Sequence, residues 1–229
     1  MASPIPIYLE IGAKRTFAAA VEWPGWCRSG PTEDAAVAAL VAHGSPYAAI
    51  LTGTRLGFRA PTQPNALRVV ERLPGTPMTD FGAITVPPAV DHDRDCDEPT
   101  LRRLEKIARA AWQAFDTAVE EAQGHRLATG PRGGGRSLGA IVAHVLGADE
   151  GHLSAVGWKG PSAGPASRRL ERMRAAIIEA LYAAGTGVLP GRGPRGGTRW
   201  TARWFARRVV WHTTTHTWEI ERRRGDQSR

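Results

Sequence analysis

Cysteine is scarce: Cys27 and Cys96 are the only two in 229 residues. Two thiols make no disulfide framework, so a reducing, cytoplasmic setting is expected. Long apolar runs are missing as well. No stretch reaches the roughly 18 uncharged apolar residues of a membrane-spanning helix, and no membrane partner is expected. The first twenty residues lack a basic start followed by an apolar run, so no secretory signal is expected either. There is no internal repeat. Two Gly/Arg-rich stretches, Gly130–Arg136 and Pro190–Gly197, lack the Gly-Lys-Ser/Thr ending of a P-loop.

What is present reads as globular. Apolar residues make up 42% and charged residues 23% of the chain. The formal net charge of +8 is unevenly distributed. Residues 1–90 hold 7 Lys/Arg against 6 Asp/Glu, whereas residues 99–229 hold 22 against 11. Between them the stretch Asp91–Glu98 holds one arginine against five acidic groups. The basic character therefore belongs to the second half and is nearly all arginine, which suits a nucleic acid or an anionic small molecule.

The hydrophobic period changes near residue 98. Before it come short extended runs at Ile5–Ile11, Thr16–Val21, Ala66–Arg72 and Gly82–Val86, with a turn at Trp23-Pro24-Gly25-Trp26. One helix is predicted from Thr32 and Glu33, with Ala36, Val37, Leu40 and Val41 as its apolar face. After it, four amphipathic segments follow. The first carries Leu101, Leu104, Ala108, Ala111, Phe115 and Ala118. The second opens on Ser137 as N-cap and carries Ile141, His144, Val145, Ala148 and His152. The third carries Leu170, Met173, Ile177, Leu181 and Ala184, and the fourth Phe205, Val209, His212, His216 and Ile220. The expected fold is a small α+β domain over 1–90, an acidic solvated linker over 91–98, an all-α four-helix bundle over 99–224 and a tail over 225–229. The linker's acidic and histidine residues lack the rigid glycine turn of a metal loop. If successive helices alternate in direction, the two Gly/Arg-rich connections share one end and form a basic rim; a crossover through Trp158–Pro165 would break that arrangement.

The histidines stand out. His212 and His216 are four residues apart, hence neighbours on one helical face, and that face is the apolar one. His144 falls on the apolar stripe of another segment. Buried imidazoles need partners, and each of these is either a hydrogen-bonded core residue or one of three ligands to a divalent metal. His152, two turns from His144, is a weaker candidate ligand. Glu219, seven residues after His212, either orients a ligand's second ring nitrogen or pairs with Arg222 or Arg223. Asp149 and Glu150 are expected at the surface, with support of a metal ligand from behind as their alternative role. His43, His92 and His125 receive no role. Trp200, Trp204, Trp211 and Trp218 read as core packing, or as base-stacking residues if exposed beside arginines.

The second half resembles the DinB-like (DinB/YfiT) family of metal-binding four-helix bundles. The residues that carry the resemblance are Ile141–Glu150, with His144, and Arg208–Glu221, with His212-x-x-x-His216. It implies a metal triad of His144, His212 and His216 binding a divalent ion such as zinc or nickel. It also implies thiol-dependent transfer or isomerisation with a low-molecular-weight thiol such as mycothiol or bacillithiol. The first half is similar, more loosely, to the HicB-like antitoxin domain through Pro24-Gly25-x-x-x-x-Gly30-x-Thr32-x-x-Ala35. The expected function is thus a metal-dependent thiol transferase or isomerase acting on a small molecule, with a homodimer as an open option. The alternatives are a binding module whose first domain docks a protein or nucleic acid, and a metal-stabilised bundle without catalysis.

Overall fold

The computed structural model describes residues 3–129, 135–161 and 168–225. They divide into two compact units between Asp93 and Arg94. The first unit contains β1 (Ile5–Ile11), β2 (Thr16–Ala20), β3 (Cys27–Gly30), α1 (Glu33–Ala42), α2 (Gly44–Ile50), β4 (Leu67–Pro74) and the short α3 (Pro77–Phe81). The sheet runs β3-β2-β1-β4, with β4 parallel to β1 and the other two pairings antiparallel. Thr32 caps α1 by accepting from the Ala35 amide at 3.2 Å. Gly30 is dictated by the approach of α1 to β3, since a Cβ there would meet the Ala36 nitrogen at 2.6 Å. The core is aromatic: buried Trp26 donates its indole N–H to the Leu40 carbonyl, and buried Tyr47 donates its hydroxyl to the Pro24 carbonyl.

One expected strand is absent. Gly82–Val86 is a loop, because its backbone donors turn to a side chain instead of a neighbouring strand. The carboxylate of Glu10, fully buried on β1, accepts from the amides of Thr85 (2.9 Å) and Val86 (3.1 Å) and from the hydroxyls of Thr79 (2.6 Å) and Thr85 (3.0 Å). Ile84 is buried between those donors, which is why the stretch alternates like a strand.

The second unit holds four long helices among its described residues: α4 (Glu98–Glu121), α5 (Leu138–Val156), α6 (Arg169–Gly185) and α7 (Ala202–Gly225). Asp97 caps α4 and Ser137 caps α5, the latter as expected. Gly157 ends α5 at φ +88°, a conformation that favours glycine. α7 packs against all three other helices, and its polar sequence tolerates this because the hydroxyls of Thr213, Thr214 and Thr217 donate to carbonyls four residues back. An apolar layer of Phe115, Ala118, Leu127, Ile141, Val145 and Ile220 joins α4, α5 and α7. No helix among the described residues is long and apolar enough to cross a membrane.

Most of the acidic stretch is exposed, as expected of a linker, with two exceptions: Asp91, in a short 3-10 turn, and Cys96 are buried, while Asp97 caps α4 from an exposed position. Within the second unit, Arg94 donates to the carbonyls of Gly191 and Arg199. The Pro190–Gly197 connection is an ordered tight turn, with Gly193 donating to Gly197 at 2.8 Å, rather than a slack link. Gly130–Gly134 of the other Gly/Arg-rich stretch, residues 162–165 of the crossover candidate and residues 226–229 of the tail lie outside the described residues, and the shared basic rim with them.

Candidate metal centre

Helical spacing assembles the site. On α7, His212 and His216 present adjacent rings with centroids 4.6 Å apart. His144 on α5 faces both, its ring centroid 4.9 Å from each. One ligating atom from each of the three histidines lies within 4.8 Å of the other two. The Nε2 atoms of His144 and His212 are 3.2 Å apart. Two nitrogens bonded to one ion at ~2.0–2.1 Å in tetrahedral geometry lie about 3.3 Å from each other, so this pair has the spacing of co-ligands. His212 and His216 are buried, whereas His144 is half-buried at the margin of the α5 stripe. One side of the centre therefore opens toward solvent.

The protonation states suit a cation. Burial above all, then the neighbouring His216, His152 and His144 and the Arg208 charge, push the His212 pKa down to about 2. Burial and then Arg136 lower that of His144 as well. Both rings are neutral at pH 7 and offer lone pairs. His216 is oriented from behind: its Nδ1 lies 2.7 Å from Glu219 Oε2. Glu219 in turn receives Arg223 at 2.9 Å, and Arg223 also donates to the Ala128 carbonyl at 2.8 Å. The hydrogen bond with His216 holds the Glu219 carboxyl below its ordinary range. The two sequence readings of Glu219, imidazole partner and arginine partner, thus hold at once. With Nδ1 of His216 engaged, its Nε2 is the atom left for a ligand.

Comparison with protein-family models, curated proteins and solved structures matches none of them to this chain. What the centre can do therefore rests on its own chemistry, and three imidazoles from two packed helices, one braced by a carboxylate, fit a divalent ion.

Other candidates fall elsewhere. Asp149, expected at the surface, is 4% exposed, because the buried α5 stripe runs Ile141, Val145, Asp149, His152, Val156. Burial raises its pKa. Glu150 is exposed as expected and pairs with Arg169 at 2.6 Å. His152 is 5% exposed and lies beside His212, at 5.8 Å between ring centroids, outside the triad. His43 ends α1 with its ring Nδ1 3.1 Å from the Ala39 carbonyl, and His92 and His125 are exposed. Trp204, Trp211 and Trp218 are buried, and the Arg208 guanidinium lies 5.8, 5.9 and 4.8 Å from the ring centres of Trp200, Trp204 and Trp211. Sequence reasoning favoured the surface for Asp149 over a place behind a ligand, and did not separate Arg223 from Arg222; the i,i+4 spacing of Glu219 and Arg223 was the available signal for the latter.

Proposed function

We propose that α4–α7 form a four-helix bundle of the DinB-like type, in which His144, His212 and His216 bind one divalent ion, zinc or nickel, for thiol-dependent transfer or isomerisation. The observation that carries this reading is the convergence of three ligating nitrogens within 4.8 Å from two helices. When bound, such an ion supplies Lewis acidity and lowers the pKa of a thiol or water beside it. The chain's own residues do the rest. His212 enters neutral and needs no proton removed before binding. Glu219 fixes the tautomer and tilt of His216, and Arg223 keeps that carboxylate charged and in place. His144 is half-buried, and this is the side from which a low-molecular-weight thiol such as mycothiol and an electrophilic small molecule would approach. Arg136 and Arg208 act electrostatically on His144 and His212, which favours an anionic substrate carrying a carboxylate or phosphate.

Elemental analysis of protein purified without chelators tests the reading. About one equivalent of metal is expected, absent from the His212→Ala/His216→Ala variant; a wild type without stoichiometric metal overturns it. A screen of thiol cosubstrates on the loaded protein then separates catalysis from a purely structural ion, for which chelation lowers Tm while no thiol is consumed. For the first unit, the close seating of Gly30 against α1 supports the HicB-like reading as a docking module for a protein or nucleic acid. A salt-dependent gel shift checks the nucleic-acid form of that reading.

A further inference from the structure

Three buried polar atoms without a hydrogen-bond partner among the described residues occur on α5 and α7: Oδ1 of Asp149, Nδ1 of His152 and Nδ1 of His212. All three residues are at least nine-tenths buried. Isolated orphans of this kind are costly in an apolar interior, and three together mark a polar layer whose members serve one another. The distances agree. Asp149 Oδ1 lies 3.6 Å from His152 Nδ1, just beyond a direct hydrogen bond, and the His152 ring stands edge-to-face to that of His212 at 5.8 Å between centroids. Trp200, 5.6 Å from His152 between ring centroids, packs against the imidazole and limits its tilt. The same arrangement exists complete on the other ligand of α7, where Glu219 stands three residues after His216 and holds its Nδ1. Asp149 and His152 are likewise three residues apart, on the helix that faces α7.

We propose that Asp149 and His152 are positioning residues for the histidine centre: the Asp149 carboxyl orients the His152 ring, which holds the Nδ1–H of His212 through one water. His212 Nε2 is then presented toward Nε2 of His144. The two buried ligands on α7 are in this way each braced from behind, His216 directly by Glu219 and His212 at one remove by the Asp149–His152 pair. This inference rests on the metal reading above.

Cobalt(II) titration of the full chain, read by its visible d–d bands and by chelator competition, tests it. Wild type is expected to bind one equivalent. Asp149→Asn and His152→Gln are each expected to weaken binding about tenfold to a hundredfold and to shift the bands, with Glu219→Gln as the benchmark. Asp149→Asn/His152→Gln is expected to lose no more than the worse single variant, because the two act in series. Far-UV circular dichroism and thermal unfolding of the metal-free proteins establish that each variant folds. Should Asp149→Asn not fold, the affinity and spectrum of His152→Gln decide alone. A wild type that binds no cobalt overturns the metal reading and this inference together. Wild-type binding with unchanged affinity and spectrum in the folded variants overturns only the positioning role, leaving the pair as core packing.

Discussion

Glu10 in the first unit and Asp149 in the second are both buried carboxylates, and they are treated in opposite ways. Glu10 in the first unit is fully enclosed yet receives two amides and two hydroxyls, so its charge is satisfied by the fold itself. Asp149 in the second is nearly as buried, and one of its oxygens has no hydrogen-bond partner among the described residues. The Glu10 pattern belongs to a residue whose task is holding the chain together. The pattern around Asp149, shared with His152 and His212, costs stability and is the mark of residues placed for something else. Burial of a polar group is therefore ambiguous until its partners are counted.

The contrast is broken most severely at Glu10. Glu10→Ala leaves the Thr85 and Val86 amides and the Thr79 hydroxyl without their acceptor, and a loss of about 3–5 kcal/mol is expected in urea unfolding monitored by the tryptophans of the first unit. A loss under ~1 kcal/mol would mean that water replaces the carboxylate and that its enclosure is unimportant. At the histidine centre acid provides the next largest effect. His212 is depressed from 6.5 to about 2, so below pH 6.5 the unfolded chain takes up a proton that the folded chain refuses. Metal-free stability from this ring is then fully present above pH 6.5 and falls with decreasing pH, by at most about 1.4 kcal/mol per pH unit. Asp149, with its pKa raised by burial, contributes with the opposite sign, so the wild-type curve is compared with that of His212→Leu, which removes the imidazole alone. Identical slopes in the two proteins would refute the assignment.

The same variant gives a smaller, opposite effect. His212→Leu replaces a ring with an unpartnered buried nitrogen by an apolar side chain, and at pH 7 the metal-free protein is expected to gain about 1–2 kcal/mol while the proposed ligand set loses one member. Differential scanning calorimetry on chelated samples reads that gain; a lower melting temperature would show the ring to be a structural element of the core. The smallest change is at a position with no functional claim. Thr32→Ala removes the cap on α1 and costs about 1 kcal/mol in the first unit, with cobalt binding in the second unchanged.

Much of this was legible beforehand, and the exceptions share a cause. The strands at Ile5–Ile11 and Thr16–Ala20, the Thr32 and Ser137 caps and the pairing of His212 with His216 follow from local period and spacing, which a sequence displays directly. Gly82–Val86 misleads because its alternation reflects the burial of Ile84, while its amides bond to Glu10 some 75 residues away. Asp149 misleads because a carboxylate on an apolar stripe contradicts the pattern used to find stripes. The link from His216 through Glu219 to Arg223 is local in spacing, but its anchor on the Ala128 carbonyl lies 95 residues back. What the linear pattern conceals is the long-range capture of polar groups.

The central place of α7 has a consequence for biogenesis. Of the four long helices it is the last to be synthesised, and α4, α5 and α6 all pack against it. Until it emerges, the nascent chain displays three apolar faces and only one member of the histidine triad, His144, a stage at which chaperone engagement is most needed and the three rings cannot yet converge. Premature termination anywhere before Ala202 would leave a sticky fragment rather than a weakened protein.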